Sequence, residues 1–187
     1  MSFKVIIDSC GELLEEWKKD SRYESVPLVL TVDGEDIIDD ETFNQKEFLE
    51  KVANSPNCPK SSCPSPERYM QAYDCDADHV YAVTLSAELS GSYNSAVLGR
   101  SLYQEEHPDK KIYVFNSRSA SIGETLIAMK IAECEEAGME FDAIVTTVED
   151  YIESQSTFFV LENLETLRKN GRLSRVKAFV ASALKIK

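Results

Sequence analysis

His79-Val80-Tyr81-Ala82-Val83-Thr84-Leu85-Ser86 decides the fold of this chain. It reads as a strand, one of several that alternate with helices along the chain. A short polar loop follows, and Ser90 to Gln104 then reads as a helix. Strand, loop and helix together form the unit of a parallel sheet, because parallel neighbours need a long crossover between them. Downstream the unit recurs as a strand at Lys111–Ser117, a helix from Ser121 to the stop signal Gly138, and a helix over Phe141–Ser154. Upstream, Val5-Ile6-Ile7-Asp8-Ser9 reads as another buried strand, and Glu12–Lys19 as a helix with Leu13, Leu14 and Trp17 on one face.

Val26–Val32 reads as one strand, with Asp33-Gly34-Glu35 turning it back into Ile37-Ile38 as a hairpin. A helix is expected over Phe43–Val52. The breaker-rich segment from Ser55 to Pro66 must be an ordered loop or a linker. Ser65-Pro66 is a helix start, a serine cap followed by proline at the first helical position, and the helix should reach Tyr73. The fold class is therefore α/β, a largely parallel sheet with flanking helices, filling a first domain over residues 1–155. Ser156–Val160 reads as a further strand, Ser174–Leu184 as a helix and Leu184–Lys187 as the start of a strand. Residues 156–187 are thus expected to begin a second α/β domain that is incomplete here.

The net charge of −13, from 20 basic and 33 acidic residues, disfavours nucleic acid and acidic membrane surfaces as partners. An anionic ligand gains nothing from such a field and needs local donors. No apolar run approaches the ~20 residues of a membrane helix, and the N-terminus lacks the signal-peptide pattern, so the expected location is the cytoplasm. The five cysteines form no Cys-x-x-Cys pair and are not spaced with His79 or His107 as zinc ligands would be. Both histidines read as surface residues. Asp39-Asp40-Glu41 reads as an exposed helix lead-in rather than a metal site. No Gly-x-Ser-x-Gly elbow, phosphate-binding loop or dinucleotide fingerprint is present.

Three strands end in hydroxyl-bearing loops: Asp8-Ser9, Ser86 to Ser92, and Asn116 to Ser119. In open α/β sheets ligands bind outside the carboxyl ends of the strands, where helix N-termini offer unpaired N–H groups. Hydroxyls there would form a neutral cradle for an anion, although each serine taken alone reads more readily as a helix cap than as a ligand contact.

The sequence resembles the DegV family of bacterial fatty-acid-binding proteins. The resemblance rests on the strand ending in Asp8-Ser9, on Val26-Pro27-Leu28 with the Asp33-Gly34 turn, and above all on three motifs. Pro59-Lys60-Ser61-Ser62-Cys63-Pro64-Ser65 looks like the family's Lys-Thr-Ser-Gln-Pro-Ser loop. Leu89-Ser90-Gly91-Ser92-Tyr93-Asn94-Ser95-Ala96 is similar to Leu-Ser-Gly-Thr-Tyr-Gln-Ser-Ala. Lys169-Asn170-Gly171-Arg172-Leu173-Ser174 is close to Lys-Gly-Gly-Arg-Ile-Ser. The resemblance implies that Ser61 and Ser90 hydrogen-bond a long-chain fatty acid carboxylate such as that of palmitate, with Ser62, Ser92 and Arg172 in the ligand-binding set. It further implies a carrier that needs no cofactor, does no bond-making itself and presents the acid to a separate fatty acid kinase. Ser61 and Ser92 replace threonines and keep the hydroxyl, while Cys63 replaces a glutamine. The competing readings are a serine-dependent acyl hydrolase and a phosphotransfer subunit like the dihydroxyacetone kinases. A DNA-linked regulator is disfavoured by the charge.

Overall fold

The computed structural model describes residues 2–158, Val160 and Lys169. Four strands form a parallel sheet in the order β2 (Tyr23–Val26), β1 (Phe3–Asp8), β6 (His79–Thr84), β7 (Lys111–Asn116). A separate antiparallel sheet joins β3 (Val29–Val32) to β4 (Glu35–Ile38) on one side and to β5 (Lys60–Ser62) on the other. The helices are α1 (Gln45–Asn54), α2 (Pro66–Tyr73), α3 (Ser92–Glu106), α4 (Ile122–Glu136) and α5 (Phe141–Ser154).

Successive side chains of a strand point to opposite faces, so a run apolar at every position needs cover on both. In β6, Tyr81 and Val83 join Val5 and Ile7 of β1 and Phe115 of β7 on the face covered by α4 and α5. Val80 and Ala82 join Ile6, Ile112 and Val114 on the opposite face, against α2 and α3. Helices α2 and α3 lie close enough that Pro66 O is 2.6 Å, and Tyr69 Cβ 3.1 Å, from where a Cβ on Gly99 would stand. The Tyr73 hydroxyl donates to Ala96 O at 2.9 Å across the same contact. A Gly99→Val chain should therefore lose about 1–3 kcal/mol to overpacking, read as a lowered urea midpoint with unchanged slope.

The structure differs from the sequence reading in four places. The helix expected over Glu12–Lys19 shrinks to a 3₁₀ turn at Trp17–Lys19. Glu12 spends its backbone on a tertiary partner, since its N–H donates to Thr125 Oγ1 at 3.2 Å and its carbonyl accepts from the same hydroxyl at 2.8 Å. So short a helix is marginal without tertiary support. The single strand expected over Val26–Val32 is two strands in different sheets, split at Pro27, which has no N–H to continue a ladder. The breaker-rich segment is ordered and contributes β5, which pairs Leu30 with Ser61 and Val29 with Ser62. No strand forms at Ser156–Phe158, and Phe158 is exposed. The rest of the expected second domain, with its helix over Ser174–Leu184 and strand start at Leu184–Lys187, lies outside the described residues.

The turn at Asp33-Gly34 is as read. Both residues have positive φ, 52° and 85°, as a two-residue hairpin turn requires. Ser65 caps α2 by accepting from Arg68 N at 3.3 Å.

Candidate functional site

In the parallel sheet the chain leaves β1 toward β2 on one side and β6 toward β7 on the other. The strand order therefore switches between β1 and β6, and the crevice outside their carboxyl ends is where such sheets bind ligands. Asp8-Ser9-Cys10 follows β1 there, and the loop from Leu85 to Gly91 leads from β6 into α3.

Ser90 is half-buried at the entry to α3. Its Oγ accepts the Ser92 N–H at 3.2 Å and lies 3.1 Å from Ser92 Oγ. One lone pair of Ser90 is thus spent on a helix N–H, while its own proton is not required by the cap. Ser92 is fully buried. Ser61 and Ser62 are consecutive residues of β5, both exposed, so their side chains leave opposite faces of the strand. The two serine loops meet through Cys63. Its Sγ lies 3.7 Å from Ser95 Oγ in the first turns of α3, and 3.0 Å from where a Cβ on Gly91 would stand. Arg172 lies outside the described residues.

The other strand-end hydroxyls are occupied. Ser9 Oγ donates to Asp39 at 2.7 Å and accepts from Leu28 N at 3.0 Å, tying β1 to the start of the antiparallel sheet. Ser117 Oγ donates to Ser119 O at 3.1 Å, and Ser119 Oγ lies 2.6 Å from Thr157 Oγ1. Asn116 Oδ1 accepts from Ala87 N and Arg118 N, fixing the loop after β6 against the loop after β7. Of the three hydroxyl loops, the first and third are structural in this way.

Behind Ser92 sits a buried acidic pair. Asp8 and Glu124 are both 0% exposed, and with Cys10 their ligand-type atoms lie within 4.8 Å of one another. The Asp8 carboxylate accepts Leu85 N at 2.8 Å and Cys10 N at 3.1 Å. Neither oxygen of an ionised Glu124 meets a donor. Burial, with the Asp8 charge added to it, pushes the Glu124 carboxyl up to about 10. Burial also raises Asp8, against the amides that favour its charged form. The Cys10 thiol is pushed up to about 12, by burial first and then by Glu124, so it is held protonated and unreactive. The pattern carried a signal for Glu124 that the sequence reading passed over. It shares one face of α4 with Ile127, Ala128 and Ile131, all fully buried, so a carboxylate stands on an apolar stripe.

His79, expected at the surface, is buried: its Nδ1 lies 2.6 Å from Glu135 Oε1, which also accepts from the Tyr81 hydroxyl at 2.7 Å. It stands at the opening of β6, about 16 Å along the strand from the carboxyl edge. His107 is exposed and stacks on Tyr103 with centroids 4.4 Å apart. Neither histidine is placed as a base for Ser90. The acidic run does not converge, since Asp39 binds Ser9 and Asp40 binds Thr42. Among the described residues no helix is long and apolar enough to cross a membrane.

A family model described as "Uncharacterised protein, DegV family" matches residues 2–187. A DegV domain-containing protein of Streptococcus gordonii is 36% identical over 94% of this chain and 63% of its own length. Among solved structures, a DegV family protein from Ruminococcus gnavus with vaccenic acid superposes with a TM-score of 0.90 at 60% identity, over 94% of this chain and 63% of that one. The Streptococcus pneumoniae Fatty Acid Kinase (Fak) B3 protein loaded with linoleic acid superposes at 0.85 and 34% identity, over 94% and 63%. The chain thus spans a little under two thirds of the length of these relatives.

Proposed function

The chain belongs to the DegV family, and we propose on that premise that it holds a long-chain fatty acid by its carboxylate at the meeting of the two serine loops. One observation supports this above the others: Cys63 packs against Gly91, so the loops of Ser61 and Ser90 converge beside the switch point of the sheet. Ser61 and Ser90 are the direct donors in this reading. Ser92 supports Ser90 from behind, and Ser62 leaves β5 on the face opposite to Ser61. The family resemblance adds Arg172 to the ligand-binding set. A carboxylate that accepts several hydrogen bonds stays ionised without a buried cation beside it. The acyl chain supplies most of the affinity, at ~0.8 kcal/mol for each CH₂ it buries.

The protein is in this reading a cytoplasmic carrier that makes no bond itself and hands its acid to a fatty acid kinase, which forms the acyl phosphate for phospholipid synthesis. The hydrolase and phosphotransfer readings gain nothing from the geometry, since His79 is committed to Glu135 at the far end of β6 and Cys10 is held as a thiol. The test is chemical. The purified full chain is denatured, extracted with organic solvent and analysed by mass spectrometry. One long-chain fatty acid per chain is the expected result. An extract without fatty acid, from a chain that turns over an acyl ester, sinks the carrier reading in favour of the hydrolase.

A further inference from the structure

Strand β4 is an edge strand: it pairs with β3 on one side, and no described strand lies on the other. The two-residue turn at Asp33-Gly34 sets which groups that edge offers. It closes on the pair Val32–Glu35, and hydrogen-bonded pairs then alternate along the ladder, through Leu30–Ile37 to the bond from Asp39 N to Leu28 O at 3.0 Å. Asp36 and Ile38 fall between these pairs, so their N–H and C=O groups point away from β3, toward the open side.

Chains ordinarily blunt such an edge with a lysine, a proline or a helix laid over it. β4 reads Glu35-Asp36-Ile37-Ile38 and carries neither lysine nor proline. The helix beside it, α1, buries none of its residues, and it is tied to β4 by Lys51 Nζ, 2.8 Å from Glu35 Oε1. Between the two lies an open groove of about 310 Å³. Ile37, Phe43 and Phe48 give it an apolar lining, with the two phenyl rings 5.4 Å apart. Ile38, also in the lining, is 50% exposed, so the apolar half of the edge is not covered.

Charge selects the occupant. Four carboxylates, those of Glu35, Asp36, Asp40 and Glu47, stand in the groove against the one ammonium of Lys51, a net charge of −3. Such a rim repels an anionic bilayer, a nucleic acid and a free fatty acid alike. It attracts lysine and arginine, and the lining between them takes an apolar side chain.

We propose that the β4 edge and this groove dock a basic, extended segment of a partner protein, which adds to the sheet as a strand antiparallel to β4. Opposite Ile38, Ile37, Asp36 and Glu35 in turn, that strand needs two apolar residues followed by two basic ones. β5 forms the other edge of the same sheet, about 10 Å away across β3, so docking leaves Ser61 uncovered. The inference does not depend on the fatty acid reading.

The full chain is titrated with a dye-labelled peptide carrying Val-Val-Lys-Lys between glycine-serine flanks. Anisotropy reads the binding, and amide hydrogen exchange locates it. Saturable binding is expected, with exchange slowed at Asp36 and Ile38. A Val-Val-Glu-Glu peptide should bind at least about tenfold more weakly. So should the basic peptide N-methylated at the amides that enter the ladder. Ile38→Lys, a charge at an exposed edge position, should fold as wild type, carry whatever fatty acid the wild type carries and bind the basic peptide about tenfold more weakly. Unchanged binding of the N-methylated peptide, or of the basic peptide to folded Ile38→Lys, reduces the effect to general charge attraction and overturns the inference. So does the absence of binding at millimolar peptide. Slow exchange at Asp36 and Ile38 before peptide is added also overturns it, in favour of a cover supplied by this chain or by a second copy, which sedimentation at two concentrations tells apart. The fatty acid content of the same samples bears on the carrier reading alone.

Discussion

A chain carrying both Ser61→Ala and Ser90→Ala is expected to come through purification folded and empty of fatty acid. Each hydroxyl gives one hydrogen bond to a carboxylate, and bonds to charged groups contribute about 1.5–3 kcal/mol each. Losing both weakens binding by about 10²–10⁴-fold, enough to empty the site during dilution and washing. The acyl chain does not compensate, because burying it would drag a carboxylate with too few donors to the same place.

The fold should tolerate both changes. Ser61 is exposed, and β5 pairs with β3 through its backbone, which alanine keeps. Ser90→Ala loses an acceptor for the Ser92 N–H at the start of α3, a capping-type loss of about 1 kcal/mol. Ser101→Ala, exposed on the body of α3 away from both serine loops, is the control, and its retention should be unchanged. Mass spectrometry of the extracted chains reads the lipid, and circular dichroism reads the fold. A folded double variant that still carries one fatty acid per chain removes Ser61 and Ser90 from the head-group site.

The parts of this site that could be read from sequence are those governed by local rules. The apolar run Val5-Ile6-Ile7 is buried because covered parallel strands look that way, and it does lie inside the sheet, between β2 and β6. Ser65-Pro66 caps α2 as its chemistry demands. What escaped the reading was set by partners distant in sequence. Nothing near Lys60-Ser61-Ser62 signals a strand, since the ladder depends on Leu30 and Val29. His79 looked like a surface residue because its partner Glu135 lies 56 residues on. Glu12 lost its helix to Thr125, 113 residues away. Ser9 and Ser117 read as cradle hydroxyls on the same pattern as Ser90, and only their partners separate them from it. Family resemblance singled out Ser90 where spacing alone could not, because it carries information about ligands that local propensity does not hold.

The Asp8–Glu124 pair should also leave its mark on stability against pH, and here the sign is specific. The folded chain keeps a proton on Glu124 up to about 10, whereas an unfolded glutamate releases it near 4.5. Between those values the folded state binds the extra proton, so this group makes stability fall as pH rises, by up to ~1.4 kcal/mol per pH unit. At pH 7 the accumulated cost is on the order of 3 kcal/mol. Asp8, Cys10 and Tyr69 stand against the same carboxyl, and burial raises all three, so none supplies a positive charge that would cancel the effect. Glu24 works the other way: burial would raise it, but Lys4 and Arg68 hold it below its usual range. Its stabilisation is present above the ordinary carboxylate range and is lost in acid. The wild type should therefore be most stable at mildly acidic pH and decline toward alkali. Glu124→Gln, neutral at every pH and still able to donate to Asp8, should flatten the alkaline limb and raise the pH 8 melting temperature by several degrees. Urea titrations of both chains from pH 5 to pH 9 give the comparison. Parallel stability curves would mean that Glu124 titrates in the folded chain as it does in the unfolded one, and the proton held on Glu124 would have to be abandoned. A flatter Glu124→Gln curve means that the chain accepts a permanent loss of stability to keep a neutral acid buried beside Asp8.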